Sequence, residues 1–170
     1  VDEDRAAAWL GQVSLEERLS VYVHIPFCKR LCWYCGCNTR AVNRHEPVAE
    51  YMTLLVREAR LLEAALPGRM KASAIHLGGG SPNMLSPEDM DLLFSTLADI
   101  FDLMPDREVA AELDPANLTR DWVQAANVAR RLERQGAGSF SSRIAVTSSA
   151  GILLIVPLET WARLLRATKG

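Results

Sequence analysis

Three short runs of β-branched and small apolar residues, each followed by a stretch of helical period, limit what this chain can fold into. Residues 20–25 read Ser-Val-Tyr-Val-His-Ile and stop at Pro26. Residues 72–77 run into Gly78-Gly79-Gly80, and residues 108–113 close on Asp114-Pro115. Such runs, bounded by Gly, Pro and Asp, predict strands. After the first, Val48, Tyr51, Leu55, Ala59 and Leu62 recur at spacings of three and four, with Leu54 beside them. This predicts an amphipathic helix over 47–66, stopped by Pro67-Gly68. After the second, Ser86-Pro87-Glu88-Asp89 supplies a cap, a proline for the first helical position and acids for the first turn of a helix to Phe101. After the third, Thr119 caps a helix expected to reach Arg134. Strand and helix alternating in this way predict the α/β class, with parallel strands joined by helical crossovers. The helix faces around Leu54 and Leu92 are expected in the core. His24 and His76, on apolar strands, read as core histidines bonded to backbone, and His45 as a surface residue.

Parallel sheets collect their chemistry at the carboxyl ends of the strands. The first strand delivers a cysteine loop to that end, the second a triple glycine, and the third Glu112-Leu113-Asp114. All four cysteines of the 170 residues lie between Cys28 and Cys37. A disulfide framework would scatter its cysteines, so this crowding points to a metal. The spacing Cys28-x-x-x-Cys32-x-x-Cys35 lets thiolates converge on one centre, as iron–sulfur clusters require. Three thiolates on a four-iron cubane would leave one iron open to a chelating amine and carboxylate. A structural zinc site on all four sulfurs is the non-enzymatic alternative. Against it, zinc modules draw ligand pairs from two separated segments, and Cys35-Gly36-Cys37 is cramped for a closed tetrahedron.

Composition enters by exclusion. A net charge of -2 argues against a sequence-independent grip on nucleic acid. Asp2, Glu3 and Asp4 are unlike a secretory leader. The apolar run 150–156 is far short of the ~20 residues that cross a bilayer. These features lead to the expectation of a cytoplasmic protein with no nucleic-acid or membrane partner.

The segment Tyr22-Val-His-Ile-Pro-Phe-Cys-Lys-Arg-Leu-Cys-Trp-Tyr-Cys-Gly-Cys-Asn38 resembles the signature of the radical S-adenosylmethionine superfamily. Within it, the His-Ile-Pro-Phe lead-in and the Cys37-Asn38 extension resemble the oxygen-independent coproporphyrinogen III oxidase (dehydrogenase) branch of haem biosynthesis. His76-Leu-Gly-Gly-Gly-Ser-Pro82 is similar to that family's glycine-rich segment, and Glu112-Leu-Asp-Pro115 to its acidic strand end. The resemblance covers roughly residues 20–123. It implies a partial radical-type (β/α) barrel holding a [4Fe–4S] cluster on Cys28, Cys32 and Cys35. It also implies S-adenosylmethionine near Tyr22, Tyr34, Gly79, Gly80, Ser81 and Glu112, and a functional role for Cys37. The implied reaction converts propionates of coproporphyrinogen III to vinyls through a 5′-deoxyadenosyl radical, giving protoporphyrinogen IX. A reductant and an electron acceptor, neither identified by the sequence, are implied as well. A related haem chaperone shares the entry motif, but Cys37 speaks against it; another radical branch with a different substrate also stands as an alternative.

The resemblance divides the chain into an arm (1–19), a core of three βα units (20–134) and an atypical segment (135–170). Residues 144–150 read as a weak strand, 152–156 as another and 157–167 as a last helix. The Arg-x-Ser-x-Gly-Val-Gln strand that the family would present next is missing from 135–154. The family's rhythm returns at Ile155-Val-Pro-Leu-Glu-Thr-Trp-Ala-Arg163. The expectation is therefore a truncated, N-terminal copy of the barrel, disrupted over 135–154, with an out-of-frame stretch as one explanation.

Overall fold

A computed structural model describes residues 3–129, 142–147 and 153–157 of the chain. Its elements are α1 (Glu3–Leu10), β1 (Arg18–Ile25), β2 (Phe27–Cys28), β3 (Arg40–Ala41), α2 (Glu46–Ala65), β4 (Lys71–Gly79), α3 (Pro87–Ile100), β5 (Asp102–Leu113), α4 (Arg120–Ala129), β6 (Ser142–Thr147) and β7 (Leu153–Pro157). Five strands form one sheet in the order β1-β4-β5-β6-β7, and β2 pairs with β3 in a small second sheet. β1, β4, β5 and β6 run parallel, so the α/β class and the helical crossovers hold.

β7 runs antiparallel to β6. Only residues 148–152 separate the two strands. A parallel return needs a crossover of a dozen residues or more, so so short a link can only reverse the chain. β6 and β7 lie within a residue or three of the strands expected over 144–150 and 152–156. Of the stretch expected to be disrupted, 135–154, residues 142–147 and 153–154 lie in β6 and β7, and the rest falls outside the described residues. Of the helix expected over 157–167, Pro157 instead ends β7, and the remainder falls outside them.

The third strand begins earlier than its sequence suggests. The strand is expected over 108–113, and Pro105 just before it lacks the N–H that a central ladder needs. The chain nevertheless pairs Asp102 and Leu103 with β4, skips residues 104–107, and resumes at Glu108. Arg107 is buried in this irregularity and donates to the carbonyls of Leu103 (3.4 Å) and Met104 (2.7 Å).

The core lies between the sheet and its helices and includes Ile25, Phe27, Met52, Ile75, Leu93 and Leu113. Two sequence expectations are corrected here. Leu54 is 60% exposed and Leu92 45% exposed. At 3.6 residues per turn, two positions span about 200°. Once α2 buries Met52 and α3 buries Met90, Leu54 and Leu92 are carried to the far side.

α3 starts as its sequence dictates. The Ser86 hydroxyl accepts from Asp89 N–H (3.1 Å), and the Asp89 carboxylate accepts from Ser86 N–H (2.8 Å). Such a capping box contributes about 1 kcal/mol. The same Asp89 oxygen lies 3.2 Å from Nε2 of His45, tying the start of α2 to the start of α3. Thr119 caps α4 through Trp122 N–H (3.2 Å). No helix among the described residues is long and apolar enough to cross a membrane.

Candidate functional site

The carboxyl ends of β1, β4 and β5 meet at one mouth of the sheet. Ile25 of β1 pairs with Gly79 of β4, and Leu77 of β4 pairs with Ala111 of β5. Beyond β1, Pro26 breaks the ladder and the chain enters the cysteine loop through β2. The loop returns through β3, where Arg40 N–H donates to Pro26 C=O (3.0 Å) and Val42 N–H to Cys28 C=O (2.9 Å). The Arg40 guanidinium lies over the Phe27 ring at 5.1 Å. The two ends of the loop are thus bonded to each other at Pro26 and at Cys28.

The glycine segment fits because its side chains are missing. A Cβ on Gly78 would lie 2.9 Å from the Tyr22 hydroxyl and 3.3 Å from the Glu112 carboxylate. Gly79 has φ +102°, where glycine is strongly favoured, and a Cβ there would sit 2.5 Å from the His24 ring. A Cβ on Gly80 would meet the Phe27 carbonyl oxygen at 2.4 Å. These contacts let the turn after β4 press against the cysteine loop. Gly80 N–H donates to Ile25 C=O (2.8 Å) and Ser81 N–H to Phe27 C=O (2.7 Å).

His24 holds the returning end of the loop. Its Nε2 lies 2.8 Å from the Asn38 carbonyl and its Nδ1 3.4 Å from the Tyr22 hydroxyl. The Tyr51 hydroxyl donates to the His24 carbonyl (2.7 Å), anchoring this strand end to α2. The expectation of a core histidine bonded to backbone holds only in part: His24 bonds a backbone carbonyl, but it is half-buried and its partner is the cysteine loop. His76 is half-buried and His45 exposed.

Of the residues singled out from sequence, Tyr22, Glu112, Cys28, Cys37, Gly79, Gly80 and Ser81 gather around this mouth. Burial pushes the Tyr22 phenol up, and the negative charges of Glu112 and Cys37 add to it. Slight desolvation raises the thiol of the largely exposed Cys37 above its ordinary value; Cys35, Glu112 and Cys28 push the same way. Ser81 is buried, and its hydroxyl donates to Cys28 Sγ (3.6 Å). Tyr34 stands apart: it is 99% exposed, as is Trp33. Cys32, Cys35 and Cys37 are exposed and Cys28 half-buried. Thr39, which sequence reasoning passed over, places its hydroxyl 3.5 Å from Cys28 Sγ. Only its position two residues past Cys37 could have suggested it.

The donors suit an iron–sulfur centre in kind: soft thiolates on one short loop, beside a glycine turn and a carboxylate. Among the described residues, no three Cys, His, Asp or Glu side chains stand close enough to hold a metal ion as they lie. Cys28 faces the strand ends, whereas Cys32 and Cys35 ride outward on the loop, linked by Cys35 N–H on Cys32 C=O (3.2 Å). A group there would take one sulfur from a half-buried position beside the strand ends and two from exposed positions on the loop.

No family model matches the chain. Over 125 residues it is 38% identical to the oxygen-independent coproporphyrinogen III oxidase of Bradyrhizobium diazoefficiens, a match covering 74% of this chain and 28% of that protein. The anaerobic coproporphyrinogen III oxidase 1 of Cereibacter sphaeroides is 38% identical over 107 residues, covering 63% of this chain and 24% of that protein. Among solved structures, the coproporphyrinogen III oxidase of Escherichia coli, described as a radical SAM enzyme, superposes with a TM-score of 0.68 at 26% identity. That superposition covers 84% of this chain and 31% of the other. By sequence and by fold the chain is a relative of the oxygen-independent coproporphyrinogen III oxidases, matching less than a third of their length.

Proposed function

We propose that this chain carries the cofactor-binding portion of an oxygen-independent coproporphyrinogen III oxidase. One observation carries the reading: the cysteine loop, the glycine turn and Glu112 are brought to one mouth of the sheet by β1, β4 and β5. Cys28, Cys32 and Cys35 would hold three irons of a [4Fe–4S] cluster, with S-adenosylmethionine on the fourth. When bound, these groups would supply hydrogen-atom abstraction from a propionate of coproporphyrinogen III.

The chain's own residues would bind and orient. The turn at Gly79 and Gly80, packed on His24 and Phe27 because it lacks side chains, would set one wall of the ligand site. Glu112 suits an ammonium or ribose hydroxyls as a charged acceptor, and Tyr22 lies across Gly78 from it. Tyr34 would come to the ligand from the exposed loop. Cys37 sits among Cys35, Glu112 and Cys28 and would act in turnover rather than as an iron ligand. The substrate tetrapyrrole, the reductant, the electron acceptor and a cytoplasmic setting belong to this same proposal. So does the division into an arm (1–19), a radical core (20–134) and an atypical segment (135–170).

Anaerobic reconstitution with iron and sulfide tests the reading. The expected product is brown, and its reduced electron paramagnetic resonance signal changes on adding S-adenosylmethionine. Cys37→Ser should retain the iron. A colourless chain holding a single zinc would overturn the proposal in favour of a structural module.

A further inference from the structure

Cys28 differs from the other three cysteines in what surrounds its sulfur. Two hydroxyls converge on Sγ: Thr39 Oγ1 at 3.5 Å and Ser81 Oγ at 3.6 Å. Both lie within the longer range of hydrogen bonds to sulfur, and both belong to pinned backbone. Thr39 is flanked by Asn38, whose carbonyl is held by His24, and by Arg40, whose N–H is held by Pro26. Ser81 is held through its own N–H on the Phe27 carbonyl. The Thr39 hydroxyl is also wedged against the turn after β4, 2.6 Å from where a Cβ on Gly80 would lie. Ser81 is buried and Thr39 half-buried, so both hydroxyls are shielded from competing water more than those of an exposed serine or threonine.

A metal-bound thiolate has no proton to give, so a hydroxyl beside it must donate. Hydrogen bonds to cluster sulfurs favour the more negative, reduced state and raise the reduction potential. We propose that Thr39 is a positioning residue which, with Ser81, clamps Cys28 Sγ and raises the reduction potential of the cluster this sulfur would ligate. Cys32 and Cys35, exposed on the loop, leave Cys28 as the sulfur through which the fold acts on the cluster. The inference rests on the cluster assignment proposed above and adds two residues outside the ligand set.

The test compares wild type, Thr39→Val and Thr39→Ser. Valine keeps the shape and removes the donor; serine restores it. Each protein is reconstituted anaerobically and titrated with dithionite while its paramagnetic signal is followed. Thr39→Val should reduce less readily, on the order of tenfold in the reduction equilibrium, which for one electron is about 59 mV more negative. Thr39→Ser should return to the wild-type midpoint. Equal midpoints for Thr39→Val and wild type would overturn the clamp. If wild type takes up no iron, the cluster assignment fails, and the clamp is read separately in the metal-free chain. There the Raman S–H stretch lost in Cys28→Ser should shift in Thr39→Val and recover in Thr39→Ser. An unshifted band would end the proposal.

Discussion

The two halves of the candidate site are built in opposite ways. The turn after β4 is packed so closely that a single added carbon at Gly79 or Gly80 would fall within 2.5 Å of a neighbour. The cysteine loop, a few ångströms away, exposes Leu31, Trp33 and Tyr34 and three of its four cysteines. One region takes its shape from the sheet; the other, under the cluster assignment proposed above, would take it from what its sulfurs bind. Stability and cofactor affinity should therefore respond to different substitutions, even though both regions serve one site.

The largest effect should come from Gly80→Ala. Its Cβ would strike a backbone carbonyl, which cannot rotate aside, so we expect a loss of about 3 kcal/mol or failure to fold. Urea unfolding monitored by circular dichroism measures this, and a change below 1 kcal/mol would show the turn to be soft. Tyr51→Phe should cost about 1 kcal/mol by removing the hydroxyl that holds the His24 carbonyl. Tyr51 also offers a pH readout. Burial raises its phenol above the ordinary value, with Glu58 and Tyr22 adding to it. A raised folded pKa means the folded state resists losing the proton. The stability is therefore intact below a pH of about 10, the unfolded value, and falls as pH rises through the folded pKa. Tyr51→Phe should flatten that alkaline decline; an identical slope would assign it to other groups. The smallest effect on stability should come from Cys32→Ser, within about 0.5 kcal/mol, although it should abolish iron uptake. Substantial unfolding by Cys32→Ser would erase the distinction between the two regions.

The same division explains what could be read from the amino acids alone. Short apolar strands, proline and glycine stops and the Ser86 cap are local signals, and α2, α3, β4 and the parallel order were legible from them. Leu54 and Leu92 were misread because several leucines crowd each helix, and only tertiary packing selects which arc is buried. The early start of β5 was hidden by Pro105, since nothing local announces that the ladder skips residues 104–107 and resumes. At the site, the cysteine spacing and the triple glycine carry their chemistry in the residue types. Thr39 and the His24 to Asn38 link depend on chain segments 11 to 14 positions apart meeting in space. No periodicity encodes such a meeting.

The reversal at β7 has a consequence for the polarity of the whole sheet. β1, β4, β5 and β6 all point toward the mouth, so each adds its final residues to the same pole. β7 begins opposite Thr147 and ends with Pro157 opposite Arg143, beside the entrance of β6. Its last residue is therefore delivered to the pole opposite the cysteines and glycines. A fifth parallel strand would have enlarged the rim around the sulfurs; this one turns the chain away from it.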